Sequence, residues 1–188
     1  MWAAIIGVAG TLLGTVLGWI LNNLSKAGKL NVFLCSWDPF YYSHDNAGFK
    51  IRSKNENEAR RFSYELVLDF YNSGGETKAM RDIKVIFNDG NMDVYISHPK
   101  DKHKTFSKNN KTLYERLSSI NVLPKSIVQI SVFDDIGETE SGKSVVLKAK
   151  KVYLEYSDEK AKKQRVNLLV MDSAKYFERL MQENTNNG

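Results

Sequence analysis

Groups able to ligate a metal, move a proton or attack a carbonyl are few here, and they are scattered. His44, His98 and His103 are the three histidines, and none stands at the offset from another His, a Cys or a Glu that zinc sites require. They are expected at the surface. Asp134, Asp135, Glu138 and Glu140 crowd one stretch with oxygen donors suited to calcium, but without the D-x-[DN]-x-[DN]-G order they read as a solvated acidic loop. No G-x-S-x-G elbow, Walker loop or paired-glycine fingerprint occurs, so the sequence points away from an enzyme and calls for no metal and no cofactor. The lone Cys35 has no internal disulfide partner; it is expected in the core, and it mildly favours a reducing compartment.

The run PKDKHKTFSKNNKT is the most ligand-like stretch. Lys100, Lys102, Lys104, Lys108 and Lys111 surround Phe106 in what reads as a loop. Near an anionic leaflet each lysine adds about 1 kcal/mol of attraction, and Phe106 can serve as a shallow wedge. Together with Lys26 and Lys29 these residues are the candidate membrane-surface contacts, with a mobile solvated loop as the alternative. Nucleic acid is disfavoured as a partner, because one basic loop without aromatics on a sheet offers no stacking platform.

A second candidate surface lies at the start of the chain. MWAAIIGVAGTLLGTVLGWIL carries no charged side chain, and Lys26 is the first. As a helix it would span about 30 Å, the thickness of a hydrocarbon core, with Trp2 and Trp19 near the two interfaces. A single transmembrane helix is therefore expected. The lysines that follow it place the soluble domain in the cytoplasm, and a cleaved signal peptide is disfavoured for want of a basic leading segment. Gly7, Gly10, Gly14 and Gly18, joined by Ala3 and Thr11, form a small-residue stripe with overlapping G-x-x-x-G units, the pattern through which membrane helices associate.

The elements that would carry these candidates change character after Lys29. A hydrophobic fraction of 42% with 11% aromatic residues is enough for a packed core in a 188-residue chain, and the net charge of +5 demands no particular partner. FSYELVLDFY alternates cleanly, with Phe62, Tyr64, Leu66, Leu68 and Phe70 on one face. DIKVIF repeats the alternation through Ile83, Val85 and Phe87, and Asn88-Asp89-Gly90 predicts a hairpin turn into MDVYIS. LNVFLCSWDPFYYS, a strand interrupted at Pro124, and a last pair from KVYLEY and QRVNLLVM bring the count to seven or more. Asp172 or Ser173 can cap a short helix at about 172–183, with Ala174, Phe177, Leu180 and Met181 sharing a face.

Short strands divided by turn signals predict a mainly β fold: an immunoglobulin-like antiparallel β-sandwich over 28–188, preceded by the helix and juxtamembrane segment over 1–27. The Cys and Trp spacing of antibody domains is missing. The expected function is a single-pass membrane-anchored binding or scaffold protein, its partners membrane lipid and a protein or a second copy met through the helix. The alternative is an oligomerising, toxin-like or host-defence-like membrane effector acting through the glycine stripe.

Overall fold

A computed structural model describes the backbone of residues 2–109, 111–139 and 141–186, and the side chains of residue 7 and of 10–182 within those ranges. The chain opens with helix α1 (Trp2–Lys26). Here the sequence expectation is corrected: among the described residues, no helix is long and apolar enough to cross a membrane. The described side chains of α1 alternate Leu, Val and Ile with Gly10, Thr11, Gly14, Thr15 and Gly18, and the helix runs on through Asn22, Asn23 and Ser25 to Lys26. Glycine and threonine contribute little hydrophobic area to those described turns. Leu12, Leu13, Val16, Leu17 and Trp19 are exposed. The side chains of Trp2 and Ala3 lie outside the described residues.

The rest is a two-layer antiparallel sandwich. Among the described residues eleven strands follow α1: β1 (Leu30–His44), β2 (Lys50–Arg52), β3 (Arg61–Asn72), β4 (Lys78–Asn88), β5 (Asp93–Ser97), β6 (Lys100–Lys108), β7 (Lys111–Arg116), β8 (Ser119–Val122), β9 (Ile127–Ile136), β10 (Lys151–Ser157) and β11 (Lys163–Val170). One sheet has the order β2-β1-β3-β9-β6-β7 and the other β11-β10-β4-β5. In the second sheet β8 also pairs with β4, along Lys78–Arg81, so β5 and β8 lie end to end on one edge of it.

Strand parity decides what is buried. Phe62, Tyr64, Leu66, Leu68 and Phe70 of β3 face the opposing sheet, where Ile83, Val85 and Phe87 of β4 and Val152 and Leu154 of β10 meet them. Trp37 of β1 packs against Phe62, Tyr64 and Phe87, with ring centroids 5.5–6.5 Å apart. The turn after β4 forms as read: the Asp89 amide donates to the Met92 carbonyl, and Gly90 takes a φ of +108° that only glycine adopts freely. Pro124 lies in the connection where the chain leaves one sheet for the other. Cys35 is exposed, not core, because β1 shifts register between Leu34 and Ser36 and the bulge carries the thiol out of the inward alternation.

Helix α2 (Ser173–Asn186) closes one side of the sandwich. Asp172 caps it by accepting from the Lys175 amide. Phe177 and Leu180 are buried, whereas Ala174 and Met181 are not; Tyr176 and Phe177 both pack at a tilt on the Tyr41 ring.

Helix α1 meets the sandwich at a tight junction. A Cβ on Gly28 would lie 1.9 Å from the Gly74 Cα, and one on Gly75 2.7 Å from the Ser25 carbonyl oxygen. The Lys29 amide donates to Ser73 Oγ, the Ser73 amide donates back to the Lys29 carbonyl, and Lys26 pairs with Glu76 at 3.1 Å.

Candidate functional site

The basic run is not a loop but a β-hairpin. β6 pairs with β9 only at Lys100↔Phe133 and Asp101↔Val132, after which β6 and β7 continue as a two-stranded arm off the sheet. Beyond Asp101 every described side chain of both strands is exposed. Asn109 turns the tip with a φ of +52°, a conformation asparagine tolerates better than most residues. The register pairs Phe106 with Leu113 and Lys108 with Lys111, so Phe106, Lys108, Lys111 and Leu113 share one face, an apolar centre with cations toward the tip.

Strand direction gives the arm its place. β6 runs antiparallel to β9, and Ile127, at the start of β9, pairs with Tyr71 one position before Asn72, which faces Leu30. The tip therefore heads toward the end of the sandwich where α1 joins, the end that also bears Lys29, exposed Leu123 and exposed Ile127.

The expected contact residues fall into two groups. Lys26 is paired with Glu76, Lys100 with Asp134 at 3.5 Å, Lys102 with Glu65 at 2.5 Å and Lys104 with Asp101 at 3.7 Å. Lys102 draws the Glu65 carboxyl below its usual range by hydrogen bonding. Among the described residues, Lys29, Lys108 and Lys111 form no ion pair. The sequence concealed the acids that hold the first group, because Glu65 and Asp134 are distant along the chain. It also hid Leu113, Leu123 and Ile127, which only strand register brings into the same region.

The acidic stretch is divided rather than gathered. In β9 the alternation turns Asp134 inward and Asp135 outward, Glu138 pairs in a short bridge with Ser144, and Glu140 lies outside the described residues. Asp134 accepts from Ser97 Oγ at 2.7 Å, and the Tyr64 hydroxyl, 2.6 Å from the same oxygen, completes a buried chain across the two sheets. Burial raises the Tyr64 phenol well above its ordinary value. Asp135 instead accepts from Tyr42 and from Lys50 Nζ, which lies 4.4 Å from the centre of the Tyr42 ring. Against the upward push of burial, those hydrogen bonds hold the Asp135 carboxyl below its ordinary value.

The histidines stay apart: His44 ends β1, His98 joins β5 to β6, and His103 lies on the arm. Among the described residues no group of three His, Cys, Asp or Glu side chains is placed to hold a metal ion. Gly7, Gly10, Gly14 and Gly18 have open space around them, with nothing within 4 Å of an added Cβ.

Two hollows adjoin these elements. One of about 450 Å³ is lined by Ser43, His44, Asn57, Glu58, Arg60, Arg61 and Glu138. The other, of about 520 Å³, opens where the arm parts from β9, between His103 and Lys104 on one side and Val128, Gln129 and Ile130 on the other.

A family model described as the YopI Ig-like domain matches residues 28–169. The SPbeta prophage-derived uncharacterized protein YopI of Bacillus subtilis (strain 168) is 27% identical over 165 residues, covering 86% of this chain and 92% of that protein. Among solved structures, one assigned to the ApaA protein of Bordetella pertussis is 10% identical with a TM-score of 0.34, covering 78% of this chain and 93% of that one. An uncharacterized β-sandwich protein from Clostridium difficile 630 is 15% identical with a TM-score of 0.31, covering 75% of this chain and 86% of its own.

Proposed function

The chain belongs to the YopI Ig-like domain family, and from that premise we propose that it is a binding module that rests the α1 end of its sandwich on an anionic lipid surface. The observation that carries this reading is the direction of the arm. It brings Lys108 and Lys111 toward the end that bears Lys29, with Phe106, Leu113, Leu123 and Ile127 as exposed apolar side chains in the same region. Cationic side chains around a few apolar ones suit a headgroup layer, where the charges meet phosphate and the apolar groups enter shallowly. Lys26, Lys100, Lys102 and Lys104 contribute less, because each already faces a carboxylate.

The test is sedimentation of the full chain with vesicles of phosphatidylcholine alone or with phosphatidylserine added. Replacing Lys29, Lys108 and Lys111 by Gln is expected to weaken anionic-vesicle binding on the order of 100-fold, at about 1 kcal/mol for each lysine. The same change at Lys100 and Lys102 should do much less. Equal effects of the two sets, or equal binding to both vesicle types, would overturn the reading.

A second reading concerns α1, whose open glycines and exposed Leu12, Leu13, Val16 and Leu17 leave its surface uncovered. Here α1 pairs with the α1 of a second copy through Gly10, Gly14 and Gly18, where small side chains let backbones approach closely. Replacing Gly14 and Gly18 by Leu should then abolish crosslinked dimers of the full chain, and dimers that persist would refute it.

A further inference from the structure

The parting of the arm from β9 leaves a stretch of central strand unpaired on one side. The Asn72 amide donates to the Ser126 carbonyl, which fixes the parity of β9: even-numbered residues turn their backbone groups to β3, odd-numbered ones away from it. β6 pairs with β9 only opposite Val132 and Phe133. The amides and carbonyls of Ile127, Gln129 and Ser131 therefore face the hollow between β9 and the arm.

This stretch differs from the edges formed by β2, β7 and β11, and shares its lack of cations with the edge formed by β5 and β8. The edge strands β2, β7 and β11 carry cations, Lys50 and Arg52, Lys111 and Arg116, Lys163 and Arg165, of the kind that discourage strand pairing. Ile127–Ser131 has no charged side chain. It is also a slot rather than a bare edge, with His103 and Lys104 forming the far wall and Leu117, Ser119, Ile120 and Asn121 lining it from β8 and its approach. Half-buried Val128 and Ile130 face inward. From Ile127 to Ser131 the slot runs about 14 Å, at roughly 3.4 Å for each residue step.

We infer that this slot receives an extended segment of a partner protein as an added strand, paired with the backbone of Ile127, Gln129 and Ser131. The segment alternates aliphatic and acidic side chains. The aliphatic ones pack on Val128, Ile130, Leu117 and Ile120. The acidic ones answer the arm, where Lys108, Lys111 and Arg116 form no ion pair among the described residues, whereas Lys100, Lys102 and Lys104 already face carboxylates. Main-chain pairing supplies affinity and the alternating side chains supply selectivity. This binding goes beyond the lipid contact and requires no lipid.

The experiment uses the full chain without vesicles and, as probe, a labelled eight-residue peptide alternating valine with glutamate, read by fluorescence anisotropy and amide exchange. Binding is expected, with protection of the Ile127, Gln129 and Ser131 amides rising ~10-fold or more. A fully N-methylated peptide of the same sequence, which keeps the side chains but cannot donate backbone hydrogen bonds, should bind at least ~10-fold more weakly, as should a valine-lysine peptide. Gln129→Pro removes one outward amide while leaving the β3 ladder its donors, and it should block the slot. The proposal fails if the valine-glutamate peptide does not bind, if N-methylation leaves binding unchanged, or if protection appears elsewhere. The N-methylated peptide is tested on the unaltered chain, so the result stands even if Gln129→Pro does not fold.

Discussion

Ser97 holds the two sheets together at one point, because its hydroxyl stands between Tyr64 of the first sheet and Asp134 of the same sheet while belonging to the second. Ser97→Ala leaves the buried Tyr64 hydroxyl without its partner and takes one donor from Asp134, which keeps Lys100, so a loss of about 1–3 kcal/mol is expected in urea unfolding. Tyr64→Phe leaves the Ser97–Asp134 bond intact and should cost less. Asp135 makes a pH prediction. Its folded-state value is lowered, so its contribution is present above the unfolded value and is lost as pH falls through the folded one, below about 4. Lys50 is raised by Asp135 and Tyr42 against the downward push of burial, so its contribution is present below the unfolded value and disappears as pH rises above about 10. Asp135→Asn should flatten both limbs of the stability profile, and an unchanged acid limb would assign the acid sensitivity to other carboxylates.

At the level of elements, the α1 junction turns on glycine, since the Gly28 and Gly74 backbones pass too closely for any side chain. Gly28→Ala forces the loop at Ser73–Gly75 to move, breaking the exchange of hydrogen bonds between Lys29 and Ser73; overpacking of this kind typically costs 1–3 kcal/mol, so a loss of about that size is expected. Limited proteolysis should detect it as faster cleavage near residue 28, and unaltered cleavage would show that the loop yields without loss. The arm behaves oppositely. Its exposed side chains bury little, so it contributes little to the core.

For the whole molecule this means that the arm can be shortened. Replacing Ser107–Thr112 by Asn-Gly keeps Phe106 opposite Leu113 and removes Lys108 and Lys111. Thermal unfolding should stay within about 1 kcal/mol of the parent chain, while binding to anionic vesicles should fall. In the parent chain the same binding should weaken as salt rises, because screening sets in at about 10 Å in 0.1 M salt. Binding that ignores salt would assign the contact to the apolar side chains instead.

Local pattern alone determined much of this fold. The period-two runs at Phe62–Phe70 and Ile83–Phe87, the Asp89-Gly90 turn and the Asp172 cap were legible because a strand's inward face, a turn's φ and a helix's first amides depend on residues within a few positions of one another. A mainly β sandwich with a terminal helix followed from them. Tertiary structure decided the rest. PKDKHKTFSKNNKT lacks the apolar alternation that marks a half-buried strand, because as an arm it buries neither face, so its hairpin was invisible until the register of β6 on β9 fixed it. The bulge that exposes Cys35, the Asp134–Ser97–Tyr64 chain and the carboxylates that occupy Lys100 and Lys102 all join residues distant in sequence. The expected span of α1 fails among the described residues, where Gly10, Thr11, Gly14, Thr15 and Gly18 give the helix little hydrophobic area to place in hydrocarbon.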